Sequence, residues 1–279
     1  MLNSSRFWRA KAWVFLFSIS ACELAACAAA SSPQETARSS APADVRIPPH
    51  AAPARLYQHA RFSTFAAGDY DGNISMTQLL RHGDFGLGAA DGLDGELIVL
   101  DGQAYQARAG GGAHLLSGSA RTPWAAVTFF GKGQRMAFEH AASSTEVEAT
   151  IDSSYTADRS LAIELTGTFR LLRLRALPGP SKPYAPLAAV VPTQVVVDLP
   201  GVATLVGFRL ASCAKDWNVP GYHFHALSAD RAHGGHVLAY EVDRGEIEVT
   251  PLESFDVPSP GDASTDRADA TCSPDGAAK

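Results

Sequence analysis

The stretch GYHFHALSADRAHGGHVLAY, residues 221–240, contains four of the nine histidines of the chain. In a strand, His223 and His225 would lie on one face, because side chains two positions apart point the same way. A glycine pair then precedes His236, which opens an apolar run typical of a second strand. Three histidines so placed can occupy three corners of a tetrahedron, the arrangement that holds a catalytic zinc ion. The alternative is two half-exposed strand histidines and one turn histidine, but H-x-H followed by GGH favours metal binding.

Several other short segments accompany this stretch in a fixed order and spacing. They are LYQH (56–59), YDGN (70–73), HGDFGLG (82–88), GLDGEL (92–97), TPW (122–124), VTFF (127–130) and KPYAPL (182–187). With PGYHFH and GGHVL they make residues 54–256 resemble the alpha-acetolactate decarboxylases. The resemblance implies two β-sheet subdomains in one compact unit, a homodimer, and the zinc-dependent (Zn²⁺) decarboxylation of 2-acetolactate to acetoin and CO₂.

Glu96 begins a strand whose alternation places Ile98 and Leu100 on the same face as the carboxylate. Such a carboxylate is either solvated at the mouth of the sheet or buried with a partner, such as a metal ion or an arginine. The residues alone favour the solvated position. The resemblance implies the buried one, because the glutamate of GLDGEL reaches the metal centre in the family.

Arg173 and Arg175 share one face of a predicted strand, and surface ion pairing is the usual explanation for such a couple. The resemblance singles out Arg175, which falls seven residues before Lys182, where the family has an arginine. A guanidinium can bind a substrate carboxylate with two N–H groups. The resemblance also favours His236 over His233 as the third metal ligand, because the family motif ends at the histidine of GGH.

The chain departs from the family pattern at three places. Ala89 stands where relatives often carry a threonine near the substrate, and Glu164 replaces an arginine beside Thr166-Gly167, where we expect a solvated turn. Relatives also bring a C-terminal glutamate toward the metal, but Glu253 is too close to the last strand to be assigned that role. Two other functions therefore stay open: a histidine-ligated zinc hydratase or hydrolase, and a non-catalytic binding protein anchored in the cell envelope.

Strand signals outnumber helix signals in the body of the chain. Asp101-Gly102 predicts a type I′ hairpin turn between residues 96–100 and 103–107. A capping box predicts a short helix after Ser75, and residues 143–151 are predicted to form an amphipathic helix with Ser143 or Ser144 as its cap. Further strands are predicted at residues 125–130, 161–163, 168–177, 194–199, 202–210, 222–227, 235–242 and 246–252, and residues 56–67 are predicted to be extended. This pattern predicts a mixed, sheet-dominated α/β protein with few helices.

The 279 residues are 46% hydrophobic and carry a formal charge of −6 without basic clusters, which argues against nucleic acid as a partner. Residues 1–27 are predicted to be a leader with a basic start and a short apolar run. Its Cys22 and Cys27 each follow a sequence like a lipoprotein box, so we expect export to the periplasm or anchoring to the cell envelope. Nothing later is long and apolar enough to span a membrane.

Both ends of the chain lack a hydrophobic pattern. Residues 28–53 are rich in Ala, Ser and Pro and are predicted to be a flexible tether, and residues 257–279 a disordered polar tail. Two cysteines remain outside the leader, Cys213 and Cys272. An oxidising compartment would allow them to pair and staple the tail to the body, and free thiols are the equal alternative.

Overall fold

A computed structural model describes residues 54–258 and 265–269. The strands are β1 (Ala54–His59), β2 (Ile74–Ser75), β3 (Phe85–Ala89), β4 (Glu96–Leu100), β5 (Gln103–Ala107), β6 (Ala113–Leu115), β7 (Arg121–Thr122), β8 (Trp124–Thr128), β9 (Gln134–Phe138), β10 (Ala142–Ser143), β11 (Leu161–Ala176), β12 (Val195–Asp198), β13 (Gly201–Leu210), β14 (Gly221–Ser228), β15 (Gly234–Pro258) and β16 (Thr265–Asp269). The helices are α1 (Phe62–Ala66), α2 (Met76–Leu79), α3 (Ser144–Ser154) and α4 (Leu187–Val190), and 3-10 turns lie at Asp91–Leu93, Val191–Thr193 and Ser212–Asp216.

The long strand β15 joins two halves of one 14-stranded sheet. Its last residues pair in parallel with β1, which continues through β8, β3, β4 and β5 to β6. Its earlier residues pair with β11 and β14, and β13 lies between those two, so these four strands form a closed ring of pairings. The sheet-dominated fold with few helices is confirmed, and the two expected subdomains take the form of two sheet halves that share β15.

Two pairs of predicted strands are each one continuous strand. Residues 161–163 and 168–177 belong to β11, and residues 235–242 and 246–252 belong to β15. Gly167, predicted to lie in a solvated turn, is opposite Gly245 inside the sheet, so that prediction is wrong. A Cβ atom on Gly167 would lie 2.6 Å from the Arg244 carbonyl oxygen, which shows that the glycines permit a close backbone approach and do not end the strands.

Local signals placed the turn and two helices correctly. Asp101 and Gly102 have φ angles of 53° and 70°, as a type I′ turn requires. Ser75 closes the predicted capping box, and Ser143, one of the two candidate caps of the second helix, closes a capping box with Glu146. Helix α1 was missed, because five residues are too short to show a helical period and residues 56–67 carry no such signal. Burial of Phe65 against the rings of Tyr70 and Trp124 holds this helix in place.

The leader and the tether, residues 1–53, lie outside the described residues. The tail prediction needs a correction, since β15 runs to Pro258 and β16 pairs with its end. Backbone hydrogen bonds to an open strand edge need no hydrophobic pattern, which explains why composition missed β16. Cys213 is disulfide-bonded, which excludes the free thiol there, while Cys272 lies outside the described residues. None of the helices in the described part of the chain has the length and hydropathy needed to cross a bilayer.

The two halves of the sheet pack face to face through one apolar cluster. Leu87 and Ile98 of the first half and Val206 and Phe208 of the second are all buried in it. The ring of Phe85 meets the ring of Phe208 edge to face, with centroids 6.1 Å apart. This packing brings the start of β4 next to β14 and thereby sets the position of the functional site.

Candidate metal centre

Three histidines converge where β14 and β15 pair. His225 is directly opposite His236, and His223 lies two residues earlier on the same face of β14. The Nδ1 atom of His236 is 3.2 Å from Nε2 of His223 and 3.3 Å from Nε2 of His225. The candidate ligand atoms of all three side chains lie within 4.8 Å of one another, so this cluster could hold a metal ion.

The spacing of the ring nitrogens fits a tetrahedral ion. With Zn–N bonds of about 2.0–2.1 Å, two ligand atoms of a tetrahedron are about 3.3–3.4 Å apart. The observed distances of 3.2 and 3.3 Å match that edge length. A single Nδ1 carries one proton or one lone pair, so it cannot make two good hydrogen bonds to the two Nε2 atoms at once. The donor set therefore fits a shared cation better than a hydrogen-bonded histidine cluster.

The surroundings keep the imidazoles neutral, which is the state that binds metal. Burial and then the nearby positive charge of Arg175 lower the pKa of His223 to about 4. Burial is also the main cause that puts the pKa values of His225 and His236 well below the usual range. Each of the three imidazoles is thus neutral over the physiological pH range and keeps a lone pair on one ring nitrogen.

The backbone of β4 orients one of the ligands. His225 Nδ1 lies 2.8 Å from the carbonyl oxygen of Leu97 and donates its proton to that oxygen. The tautomer with hydrogen on Nδ1 leaves the lone pair of Nε2 free and directed at the other two histidines. The ring of Trp124 is nearly parallel to that of His223, with centroids 6.3 Å apart and an interplanar angle of 14°.

Glu96 and Arg175 complete the cluster. Arg175 is opposite His236 in the sheet, and its Nη1 donates to Oε1 of Glu96 at 2.9 Å. The other carboxylate oxygen of Glu96 is 3.5 Å from Nε2 of His225. Glu96 is buried, so the solvated position that the residues alone favour is wrong. Burial raises the pKa of Glu96 to about 7, and the positive charge of Arg175 opposes that shift.

The alternatives weighed for these roles lie elsewhere. Arg173 makes a two-contact ion pair with Asp198 on the exposed edge, at 2.8 and 2.9 Å. His233 is half-exposed, and its Nδ1 lies 3.9 Å from the Asp230 carboxylate, outside the cluster. Glu253 is exposed on β15. Among the side chains that the structure describes, the three histidines are the one group of this kind, and Glu253 does not belong to it.

Ala89 and Glu164, the two residues that depart from the pattern of the resembled family, lie at different distances from the site. Ala89 is opposite both Glu96 and Trp124 and is buried beside them, so it borders the site. Glu164 is opposite Val206, which is opposite His225, so two strand spacings, or about 10 Å, separate Glu164 from that histidine.

The surroundings of Glu164 also differ from the solvated turn expected there. Glu164 is partly buried in the sheet near Asp101 and Glu248. Burial and then these carboxylates raise its pKa. The screening by solvent that the sequence predicts for Glu164 is therefore reduced.

The structure places all five residues predicted for the site next to one another. Two further groups, which the sequence analysis did not assign to the site, contact the histidines. The Leu97 carbonyl is a backbone group, and no side-chain pattern could have revealed it. Trp124 belongs to the TPW segment that carries the resemblance, and its place directly before the predicted strand 125–130 was the available signal.

Known proteins are similar in sequence to most of the part of the chain that contains this site. A family model described as alpha-acetolactate decarboxylase matches residues 56–271. The alpha-acetolactate decarboxylase of Methanosarcina mazei is 37% identical over 211 residues, which cover 74% of this chain and 73% of that protein. The enzyme of the same name from Raoultella terrigena is 35% identical over 216 residues, 77% of this chain and 83% of that protein.

Solved structures agree with the sequence comparison. The crystal structure of alpha-acetolactate decarboxylase from Bacillus subtilis strain 168 superposes with a TM-score of 0.72 at 29% identity and covers 75% of this chain and 90% of that one. A Staphylococcus aureus protein described as of unknown function and similar to alpha-acetolactate decarboxylase gives a TM-score of 0.70 at 31% identity. That match covers 73% of this chain and 88% of the other.

Proposed function

The chain belongs to the alpha-acetolactate decarboxylase family, and on that premise we propose that it converts 2-acetolactate to acetoin and CO₂. The observation that carries the proposal is the convergence of three neutral histidine nitrogens with a buried arginine–glutamate pair. The histidines can hold a cation, the arginine can bind a carboxylate, and the glutamate can carry a proton. Decarboxylation of a 2-hydroxy-3-oxo acid needs all three of these groups.

We assign the metal as zinc, held by His223, His225 and His236. Three imidazole nitrogens at tetrahedral spacing, with the fourth position left to water or substrate, are the usual ligand set of a catalytic zinc ion. When bound, the ion supplies Lewis-acid stabilisation of negative charge that builds on the substrate oxygens, an effect of several kcal/mol. The remaining steps belong to the side chains of the chain itself.

Arg175 binds the carboxylate of the substrate. Its Nη1 donates to Glu96, and this is the one hydrogen bond that the guanidinium makes to the described residues. The rest of the planar fork is therefore free to donate two hydrogen bonds to one carboxylate. Its side chain is 15% exposed, so water competes little for these groups.

Glu96 carries the proton. In the reaction the bond between C1 and C2 of 2-acetolactate breaks, CO₂ leaves, and the electron pair remains on the C2–C3 unit as an enediolate. One proton delivered to C2 then completes acetoin. Glu96 lies beside both Arg175 and the histidine nitrogens, so its carboxyl group is in position to carry that proton.

The test uses the full-length zinc-loaded protein and racemic 2-acetolactate, with acetoin and CO₂ measured together. We expect both products in equal amounts, their loss on chelation, and their return with zinc. Arg175→Ala should abolish most turnover, whereas Arg173→Ala, which removes an exposed arginine on the same strand, should not. Undiminished activity of Arg175→Ala on another substrate would favour the hydratase or hydrolase, and a folded, zinc-loaded protein without products would favour the binding protein.

We also propose a quaternary structure and a cellular location for the protein. Family membership supports a homodimer, which light scattering of the purified protein would test. The basic and apolar leader with Cys22 and Cys27 supports export. Mass spectrometry of the envelope fraction should then show a protein lacking residues 1–21 or 1–26, and an intact Met1 on cytoplasmic protein would contradict export.

A further inference from the structure

A row of three side chains borders the metal centre on the first half of the sheet. Trp124 of β8 is opposite Ala89 of β3, and Ala89 is opposite Glu96 of β4. Directly opposed residues of antiparallel strands point to the same face, so the three side chains stand next to one another. Glu96 contacts His225 at one end of this row, and Trp124 stacks on His223 at the other. The row therefore faces the histidines.

The middle residue of the row has the shortest side chain. Ala89 carries a single methyl group between a large aromatic and a long acidic side chain. Its backbone is held from behind, because Thr122 Oγ1 donates to the Ala89 carbonyl oxygen at 2.7 Å. A small ligand that lies against the histidines thus meets the indole on one side and the carboxyl group on the other.

The indole N–H of Trp124 is a buried donor without an acceptor in the structure. Trp124 is only 2% exposed, and its Nε1 makes no hydrogen bond. Burying such a group unpaired is unfavourable, and native proteins rarely leave one without a reason. The ring itself is well packed, with Phe65 stacked at 5.7 Å and Phe62 edge-on at 5.6 Å. Packing thus accounts for the aromatic ring and leaves the N–H unexplained.

We propose that the Nε1–H of Trp124 donates a hydrogen bond to an oxygen of the bound 2-hydroxy-3-oxo acid, which lies over Ala89 between Trp124 and Glu96. This inference rests on the proposed function, since it needs that class of substrate at the metal centre. An indole N–H is a donor only and cannot bind the metal. Its partner must therefore be an acceptor atom, and the substrate presents carboxylate and carbonyl oxygens.

The first test is Trp124→Phe in the zinc-loaded protein, which keeps an aromatic ring against His223 but removes the N–H. We expect kcat/KM to fall about tenfold with zinc content unchanged, since one hydrogen bond to the substrate is lost. Affinity for 2,3-dihydroxy-2-methylbutanoate, a reduced analogue that cannot decarboxylate, should fall by a similar factor in calorimetry. Trp217→Phe removes an indole from the same apolar cluster and should change neither value.

A measurement on the unmodified protein keeps the proposal testable if Trp124→Phe does not fold. The chain has four tryptophans, so ¹⁵N-indole spectra of single Phe variants at Trp8, Trp13 and Trp217 assign the Trp124 signal by elimination. The analogue should move that indole proton downfield. Binding of the analogue without any such shift, or Trp124→Phe with wild-type kcat/KM, would overturn the proposal. If the wild type makes no acetoin, the proposed function fails instead, and the indole shift still reports on Trp124.

Discussion

The substitution Arg175→Lys tests whether the fork geometry of the guanidinium matters and not only its charge. In the structure one N–H group of Arg175 is used by Glu96 at 2.9 Å, and the others are free for a ligand. A lysine at this position has a single ammonium nitrogen, so its hydrogen bonds must be divided between Glu96 and the substrate carboxylate. Loss of one charge-assisted hydrogen bond costs about 1.5–3 kcal/mol, which corresponds to roughly 10–150-fold in kcat/KM.

The assay is the initial rate of acetoin formation over a range of 2-acetolactate concentrations, with zinc content measured on the same samples. Arg173→Lys is the matched control, because Arg173 lies two residues away on β11 but pairs with Asp198 at the exposed edge. A surface pair of this kind contributes little to stability and lies away from the histidines, so the control should keep wild-type rates. If the kcat/KM of zinc-loaded Arg175→Lys is within twofold of the wild-type value, binding of the carboxylate by two hydrogen bonds from Arg175 is refuted.

Three further predictions follow from the geometry. His236→Ala should lose the bound zinc while His233→Ala keeps it, and metal analysis showing the reverse would move the third ligand to His233. Ala89→Thr should raise turnover modestly, up to about tenfold if a new hydrogen bond acts wholly in the transition state, and an unchanged or lower rate would show that a hydroxyl there does not help. Gly167→Ala should destabilise the protein by about 1–3 kcal/mol in urea unfolding, because its Cβ would lie 2.6 Å from a backbone oxygen, and Gly112→Ala, which meets nothing within 4 Å, is the control.

Predictions from the sequence were reliable where a few neighbouring residues decide the conformation. The type I′ turn at Asp101-Gly102 depends on two residues that tolerate positive φ, and the capping box at Ser75 depends on one side chain and one residue three positions on. The shared face of His223 and His225 follows from the period of a strand. These are local rules of backbone geometry, so the sequence carries them without help from the rest of the fold.

Tertiary structure decided what depends on segments far apart in the chain. Whether Glu96 is solvated or buried was settled by β4 packing on β14 and by Arg175, which lies 79 residues away in sequence. Gly167 looked like a turn because glycine can either end a strand or permit close contact between strands, and only its partner Gly245 shows which applies. The carbonyl of Leu97 orients His225 through an atom that every residue possesses. Pairing and burial over such distances are set by how the two sheet halves pack together, and a local pattern of residue types does not record that packing.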